Sequence, residues 1–242
     1  MDLKNKNIAN LISLWQLAGE KAGIYSDYEV FSSSWVPGSQ WPNRLWIYDA
    51  PNDYTLDRAV QQAQLLKLDI TLWQNLSSQH EECIIAAGFE QKSLLSGMSL
   101  NINQVIRQEN DLQLIRVDNP TLAGQWSILF QEAFGYQIDH FTITRTMNQV
   151  EYYIALHHDQ PAGTVVLFVD GNTTAGIHSM GVIPKMRRKG LAEAILNKVL
   201  DLASGRHCNL VTLQASAMGL GLYLKTGFTE QFTLKTFTHN KK

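Results

Sequence analysis

Cysteine is scarce: Cys83 and Cys208 are the only two in 242 residues, and they lie far apart in apolar surroundings. A disulfide framework or a zinc site needs more ligands at closer spacing, so two buried free thiols and no metal site are expected. An excess of one charge is missing as well. The 20 Lys and Arg face 22 Asp and Glu, for a net charge of −2. Such a balance gives no whole-molecule attraction to nucleic acid or anionic lipid. Apolar runs are short, well below the ~20 residues of a membrane span. The opening stretch to Trp15 lacks the apolar core of a signal peptide. A cytoplasmic, soluble protein with neither a nucleic-acid nor a membrane partner is therefore expected. No Gly-x-x-x-x-Gly-Lys-Ser/Thr loop occurs. Gly219-Leu-Gly221 opens a dinucleotide-like spacing that breaks at Leu224.

What is present is ordinary apolar content, 45% of residues, enough for a buried core and too much for dominant disorder. No Pro-rich or low-complexity linker divides the chain. The second half reads regularly. Residues 112–117 alternate as a strand, and 119–135 carry Leu122, Trp126, Leu129, Phe130 and Phe134 at helical spacing. Strands follow at 150–157, 164–169 and 177–183, the first two joined by a turn over 159–163. A helix over 190–203, a strand over 207–214, a short helix over 217–226 and a strand over 228–238 complete it. An antiparallel meander followed by β-α-β-α-β predicts an α/β (α+β) fold with a mixed sheet.

The end of this half has an echo in the first. Thr226-Gly-Phe-Thr-Glu230 is similar to Ala87-Gly-Phe-Glu90, with Phe89 and Phe228 separated by 139 residues. At about that offset the strand at 210–214 falls near Ile70-Thr-Leu-Trp-Gln74, and the helix at 190–203 overlaps 56–66. A repeat at domain spacing predicts two copies of one fold, divided as 1–110 and 111–242.

The chemistry concentrates in Gly181-Val-Ile-Pro-Lys-Met-Arg187-Arg188-Lys189-Gly190-Leu191-Ala192. A strand stops at Pro184, three cations follow, and a helix begins at Gly190. Helix starts leave backbone N–H groups unpaired at the positive end of the dipole, and glycine lets an anion approach them. A pyrophosphate seat and a solvated basic turn both fit this loop taken alone.

The loop resembles the GNAT superfamily of acyl-CoA-dependent N-acyltransferases, whose phosphate motif is Arg/Gln-x-x-Gly-x-Gly/Ala. Arg187-Arg-Lys-Gly190-Leu-Ala192 fits it, and Leu222-Tyr223-Leu-Lys225-Thr-Gly227-Phe228 is similar to a second family motif. The resemblance covers about residues 112–240. It implies that strands 177–183 and 207–214 splay apart around the pantetheine arm of acetyl-CoA. Backbone groups of Met180, Gly181 and Val182 would bond pantetheine and the acyl carbonyl, with Val182 N–H steadying the oxyanion. Amides from Arg187 or Arg188 through Lys189, Gly190, Leu191 and Ala192 to Glu193 would hold the pyrophosphate. Ser216 stands where many members carry an asparagine that contacts pantetheine.

The resemblance makes Tyr223 the general acid, because a phenol with pKa about 10 is protonated at neutral pH and can reprotonate a thiolate. His178, which by strict alternation shares a strand face with Met180 and Val182, is similar to a histidine of arylalkylamine-acetylating members. A water-mediated base and a structural histidine are both compatible with it. The first half would be a degenerate copy: Ile84 stands at the offset of Tyr223, and no Arg-x-x-Gly-x-Ala precedes residue 56. Trp35, Trp41 or Trp46 from this copy would wall the acceptor cleft. The expected activity is acetyl transfer from acetyl-CoA to a primary amine of a small acceptor. An acyl-CoA sensor without turnover and a protein or peptide N-acetyltransferase are the alternatives.

Overall fold

The computed structural model describes residues 2–73, 77–102, 111–171 and 173–239. The chain opens with helix α1 (Leu3–Ala22), capped by the Asp2 carboxylate, which accepts from Asn5 N–H at 2.7 Å. Leu11, Leu14, Trp15 and Ala18 recur along it at helical spacing and are buried. Strands β1 (Ile24–Asp27), β2 (Phe31–Trp35) and β3 (Arg44–Ile47) follow, then α2 (Asp53–Leu66), β4 (Asp69–Leu72), α3 (Ser78–Ala86) and β5 (Phe89–Asn101). The second half runs β6 (Leu112–Arg116), α4 (Pro120–Phe134), α5 (His140–Thr146), β7 (Glu151–His157), β8 (Gln160–Val169) and β9 (Thr174–Val182). After a single 3-10 turn (Pro184–Met186) come α6 (Leu191–Gly205), β10 (Leu210–Ala215), α7 (Leu220–Lys225) and β11 (Thr229–His239).

The eleven strands of the described residues join one sheet, in the order β1-β2-β3-β4-β11-β5-β10-β9-β8-β7-β6. The predicted mixed α/β class is what the chain adopts. Two parallel pairs, β3 with β4 and β9 with β10, lie symmetrically about the central antiparallel pair β11 and β5. The repeat is therefore visible in the topology: β3-α2-β4-α3-β5 in one half matches β9-α6-β10-α7-β11 in the other. Each half also hands its last strand across. β5 pairs with β10 of the second half, and β11 pairs with β4 of the first. The cut at 110/111 adjoins residues 103–110, which lie outside the described residues.

Strand alternation sorts the first half onto two faces. Leu45 and Ile47 of β3 join Leu56, Ala59 and Ile84 in a small core beneath α2 and α3, which also contains Phe237 of β11. Arg44 and Trp46 point the other way, onto Trp15 of α1. On that side α5 packs against both α1 and α4.

Several boundaries differ from the sequence expectation. The β7–β8 turn is His158-Asp159, both at positive φ (49° and 58°), so Gln160 and Pro161 already belong to β8. Residue 207 adopts positive φ and β10 begins only at Leu210. Helix α5 was not expected. It is seven residues long and rich in β-branched threonine and isoleucine, and it is held by the Asp139 cap on Phe141 N–H and by burial of Ile143. Cys208 is buried as expected; Cys83 is exposed on α3.

Candidate active site

β9 and β10 pair only over Thr174–Gly176 and Leu210–Thr212. Beyond those residues both strands continue, β9 to Val182 and β10 to Ala215, with a gap between them. A bulge in β9 starts the divergence: Val166 opposes His178 while Thr164 opposes Gly181, so the strand carries one extra residue. Ser179 takes up the extra length at φ 50°, and its carbonyl accepts from Thr164 Oγ1 at 3.0 Å.

The bulge decides which groups face the gap. Ile183 N–H donates to Ala162 O at 2.9 Å, so Val182 turns its own N–H and C=O away from β8. Met180, two residues earlier, lies in the bulge and has no register partner on β8. Gly181 is the register partner of Thr164 on β8, and it matters there that it has no side chain. A Cβ on Gly181 would stand 2.6 Å from the Phe134 ring and 3.2 Å from the Ala133 Cβ of α4.

His178 also departs from expectation. The extra residue breaks alternation, so His178 shares a face with Gly176 and Gly181 rather than with Met180 and Val182. On that face it meets α1, with Nε2 3.3 Å from Asn10 Oδ1. Burial lowers its pKa to about 4, only partly opposed by a hydrogen bond with Gln214. Gln214 in turn donates to Asn7 Oδ1 at 2.6 Å, and Asn7 Nδ2 donates to Met98 O at 2.8 Å. This asparagine–glutamine–histidine cluster was not anticipated, since its members come from opposite ends of the chain.

At the far end of β9 lies the start of α6. Gly190 is its N-cap at φ 75° and supplies no side-chain cap, and Arg188 is left-handed as well, at 62°. The first intrahelical bond is Ala194 N–H to Gly190 O. The N–H groups of Leu191, Ala192 and Glu193 are thus left for an external acceptor. Helices α1 to α5 are all closed by an Asp, Asn or Ser side chain, whereas α6 and α7 each start at a glycine with no side-chain cap. Arg188 and Lys189 are exposed beside it. Lys225 on α7 reaches Glu193 at 3.0 Å and partly neutralises that carboxylate. The Arg187 side chain serves elsewhere, donating to Val182 O at 3.0 Å and Ala133 O at 2.9 Å.

Tyr223 projects from α7 and is 8% exposed, edge-on to Phe228 at 5.7 Å. Its hydroxyl has no hydrogen-bond partner among the described residues, and burial raises its pKa to about 12. Ser216 is exposed at the end of β10, where its carbonyl accepts from Gly219 and Leu220 N–H and starts the α7 turn.

A family model described as the acetyltransferase (GNAT) family matches residues 113–228. Those residues form a GNAT acetyltransferase domain. None of the curated proteins matches the chain. Among solved structures, a GCN5-related N-acetyltransferase from Kribbella flavida is 12% identical at TM-score 0.69, over 98% of this chain and 97% of its own. A functionally unknown conserved protein from Staphylococcus epidermidis is 14% identical at TM-score 0.64, over 89% and 93%. A GCN5-related N-acetyltransferase-like protein from Streptococcus suis is 12% identical at TM-score 0.59, over 97% and 100%. At these identities the likeness is one of fold, and it extends over both halves.

Outside the GNAT domain the equivalent features are closed. Asn52 caps α2 with its own side chain, accepting from Thr55 N–H at 2.8 Å, and Asp53 adds negative charge to the first turn. Ile84 is fully buried on α3, where the GNAT domain has Tyr223 on α7. Of the three tryptophans expected to wall an acceptor cleft, Trp46 is core, packed on Trp15 at 5.5 Å, and Trp41 is also buried. Trp35 is partly exposed, at 39%. The first half nevertheless reaches the GNAT domain through the β2–β3 loop. Gln40 N–H donates to Gln137 O at 2.9 Å, and Asp139 N–H donates to Ser39 Oγ at 3.3 Å. An open depression of 390 Å³ lined by Ser13, Glu20, Gln149 and Asp170 lies by the β8–β9 turn, away from the gap. Among the described residues no cluster of His, Cys, Asp and Glu is placed to hold a metal, and no helix is long and apolar enough to cross a membrane.

Proposed function

We propose that the protein transfers an acetyl group from acetyl-CoA to a primary amine of a small acceptor by direct attack. One observation carries the reading. The uncapped start of α6, the β9/β10 gap and the unpartnered hydroxyl of Tyr223 lie on consecutive elements of the same half. The N–H groups of Leu191, Ala192 and Glu193, with Arg188 and Lys189 beside them, fit a pyrophosphate. Met180 and Val182 present backbone groups to the pantetheine arm in the manner of an added strand. Val182 N–H donates to the oxyanion that develops as the amine attacks. Tyr223, held protonated by burial, delivers its proton to the departing thiolate.

The ammonium form of the acceptor must lose a proton before attack. Of the two routes expected, His178 or water, burial and the α1-side position of His178 favour water. His178 is then a neutral residue that positions β9 through Asn10. The test is a CoA-release assay with acetyl-CoA across amines, amino acids, polyamines and peptides. Thiol release with a small amine supports the reading; CoA binding without release from any acceptor would replace it with a sensor. Release with peptides alone would make the protein a peptide N-acetyltransferase.

A further inference from the structure

Arg44 is a cation in an unusual place. It stands at the start of β3, and its guanidinium lies 4.5 Å over the Trp15 ring. Its Nε donates to Pro42 O at 2.7 Å. Protein atoms surround it closely, and burial pulls its pKa below the usual arginine value. Its side chain still keeps some solvent access. Asp69, its register partner on β4, supports that charge electrostatically but stands beyond ion-pair distance and is engaged by Lys92 at 2.7 Å. The terminal guanidinium nitrogens bond no group among the described residues. A guanidinium keeps its charge in proteins, and a buried charge is costly unless a counter-ion meets it.

The surroundings say where that counter-ion would enter. Tyr136, on the α4–α5 connector, is the phenol that interacts electrostatically with Arg44, and burial pushes its pKa up. The Tyr136 ring lies 6.2 Å from that of Phe134, and Phe134 covers Gly181 at the acyl end of the gap. Two neighbouring aromatic rings therefore lead from the β9/β10 gap toward a guanidinium that has no ion-pair partner within 4 Å among the described residues. That guanidinium is supplied by the otherwise closed first half.

We infer that Arg44 and Tyr136 form an anion subsite for the acceptor, so that the preferred substrate is an amine carrying a carboxylate. Arg44 offers two parallel N–H donors, which match a carboxylate in fork geometry, and the Tyr136 hydroxyl adds a third. A single guanidinium with Asp69 nearby suits a monoanion better than a phosphate dianion. The aromatic walls accommodate the methylene chain between amine and carboxylate. The inference rests on the transferase reading above.

The test compares ω-amino acids from glycine to 6-aminohexanoate with n-alkylamines of equal length, and phenylalanine with 2-phenylethylamine. Thiol release from acetyl-CoA is measured for the wild type, Arg44→Gln and Tyr136→Phe. The wild type should favour the carboxylate-bearing member of each reactive pair. In Arg44→Gln the ratio of kcat/KM between the two members should fall roughly tenfold or more, and in Tyr136→Phe less. Both members are measured on one preparation, so an unfolded fraction cancels from the ratio. A wild-type ratio at or below one, or a ratio unmoved by Arg44→Gln, overturns the anion subsite while leaving the transferase intact. No thiol release with any acceptor overturns the transferase reading, and the subsite with it.

Discussion

The Arg187 guanidinium bridges the carbonyls of Val182 and Ala133, at 3.0 and 2.9 Å, tying the end of β9 to the last turn of α4. The arginine of the phosphate motif is thus a brace for the gap, whereas the neighbouring Arg188 is exposed and has no hydrogen bond or ion pair among the described residues. Arg187→Ala should lower the melting temperature by ~4–8 °C, since its two exposed bonds contribute ~1 kcal/mol each. Arg188→Ala should leave the melt unchanged and weaken CoA binding, with the deficit shrinking as salt rises. Thermal melts and CoA titrations at two ionic strengths separate the two roles.

Tyr223→Phe removes one hydroxyl that bonds nothing within the described residues. Turnover should drop ~10²-fold or more, the range for a general acid, while CoA affinity stays near wild type. Steady-state thiol release alongside calorimetric CoA binding reads both. Full retained turnover would remove Tyr223 from the mechanism.

Gly190 adopts φ 75° and has open space where a Cβ would go. Gly190→Val therefore acts through backbone strain of ~1–3 kcal/mol and by blocking approach to the α6 amides. CoA binding should be lost, and Gly190→Ala should be intermediate. Wild-type CoA affinity in Gly190→Val would refute the phosphate seat.

His178 has its folded pKa lowered from 6.5 to about 4. The unfolded chain takes up a proton at higher pH than the folded one, so stability is full above pH 6.5 and falls as pH drops toward 4. His178→Asn should flatten that part of the melting-temperature profile between pH 7 and 5. An unchanged profile would show that the imidazole is not held neutral by burial.

The second half was legible because its helices and strands carry strong periodicity and local caps. Asn119, Pro120 and Gly135 bracket α4 in the sequence as they do in the structure. The repeat is legible from the Gly-Phe pairs and the strand and helix that align near the same offset. What escaped depended on residues that do not announce themselves. His158, Asp159 and Ser179 adopt positive φ without being glycine, so the sequence puts the turn too late and hides the bulge. That one extra residue moved His178 to the other face. Arg44 and Tyr136 carry no local signal, because their meeting depends on how the two halves dock. Nor can a repeat reveal which copy its strands pair with.

The exchange of β5 and β11 has a consequence for how the chain folds. Lys235 pairs with Leu72, and Phe237 completes the small core under α2. During synthesis the first half must wait for nearly the whole chain before β4 gains its second neighbour. Until then β4 is an open edge, exposed to chance pairing. Such long-range closure predicts slow folding, and it makes the two copies one cooperative unit rather than two domains able to melt apart.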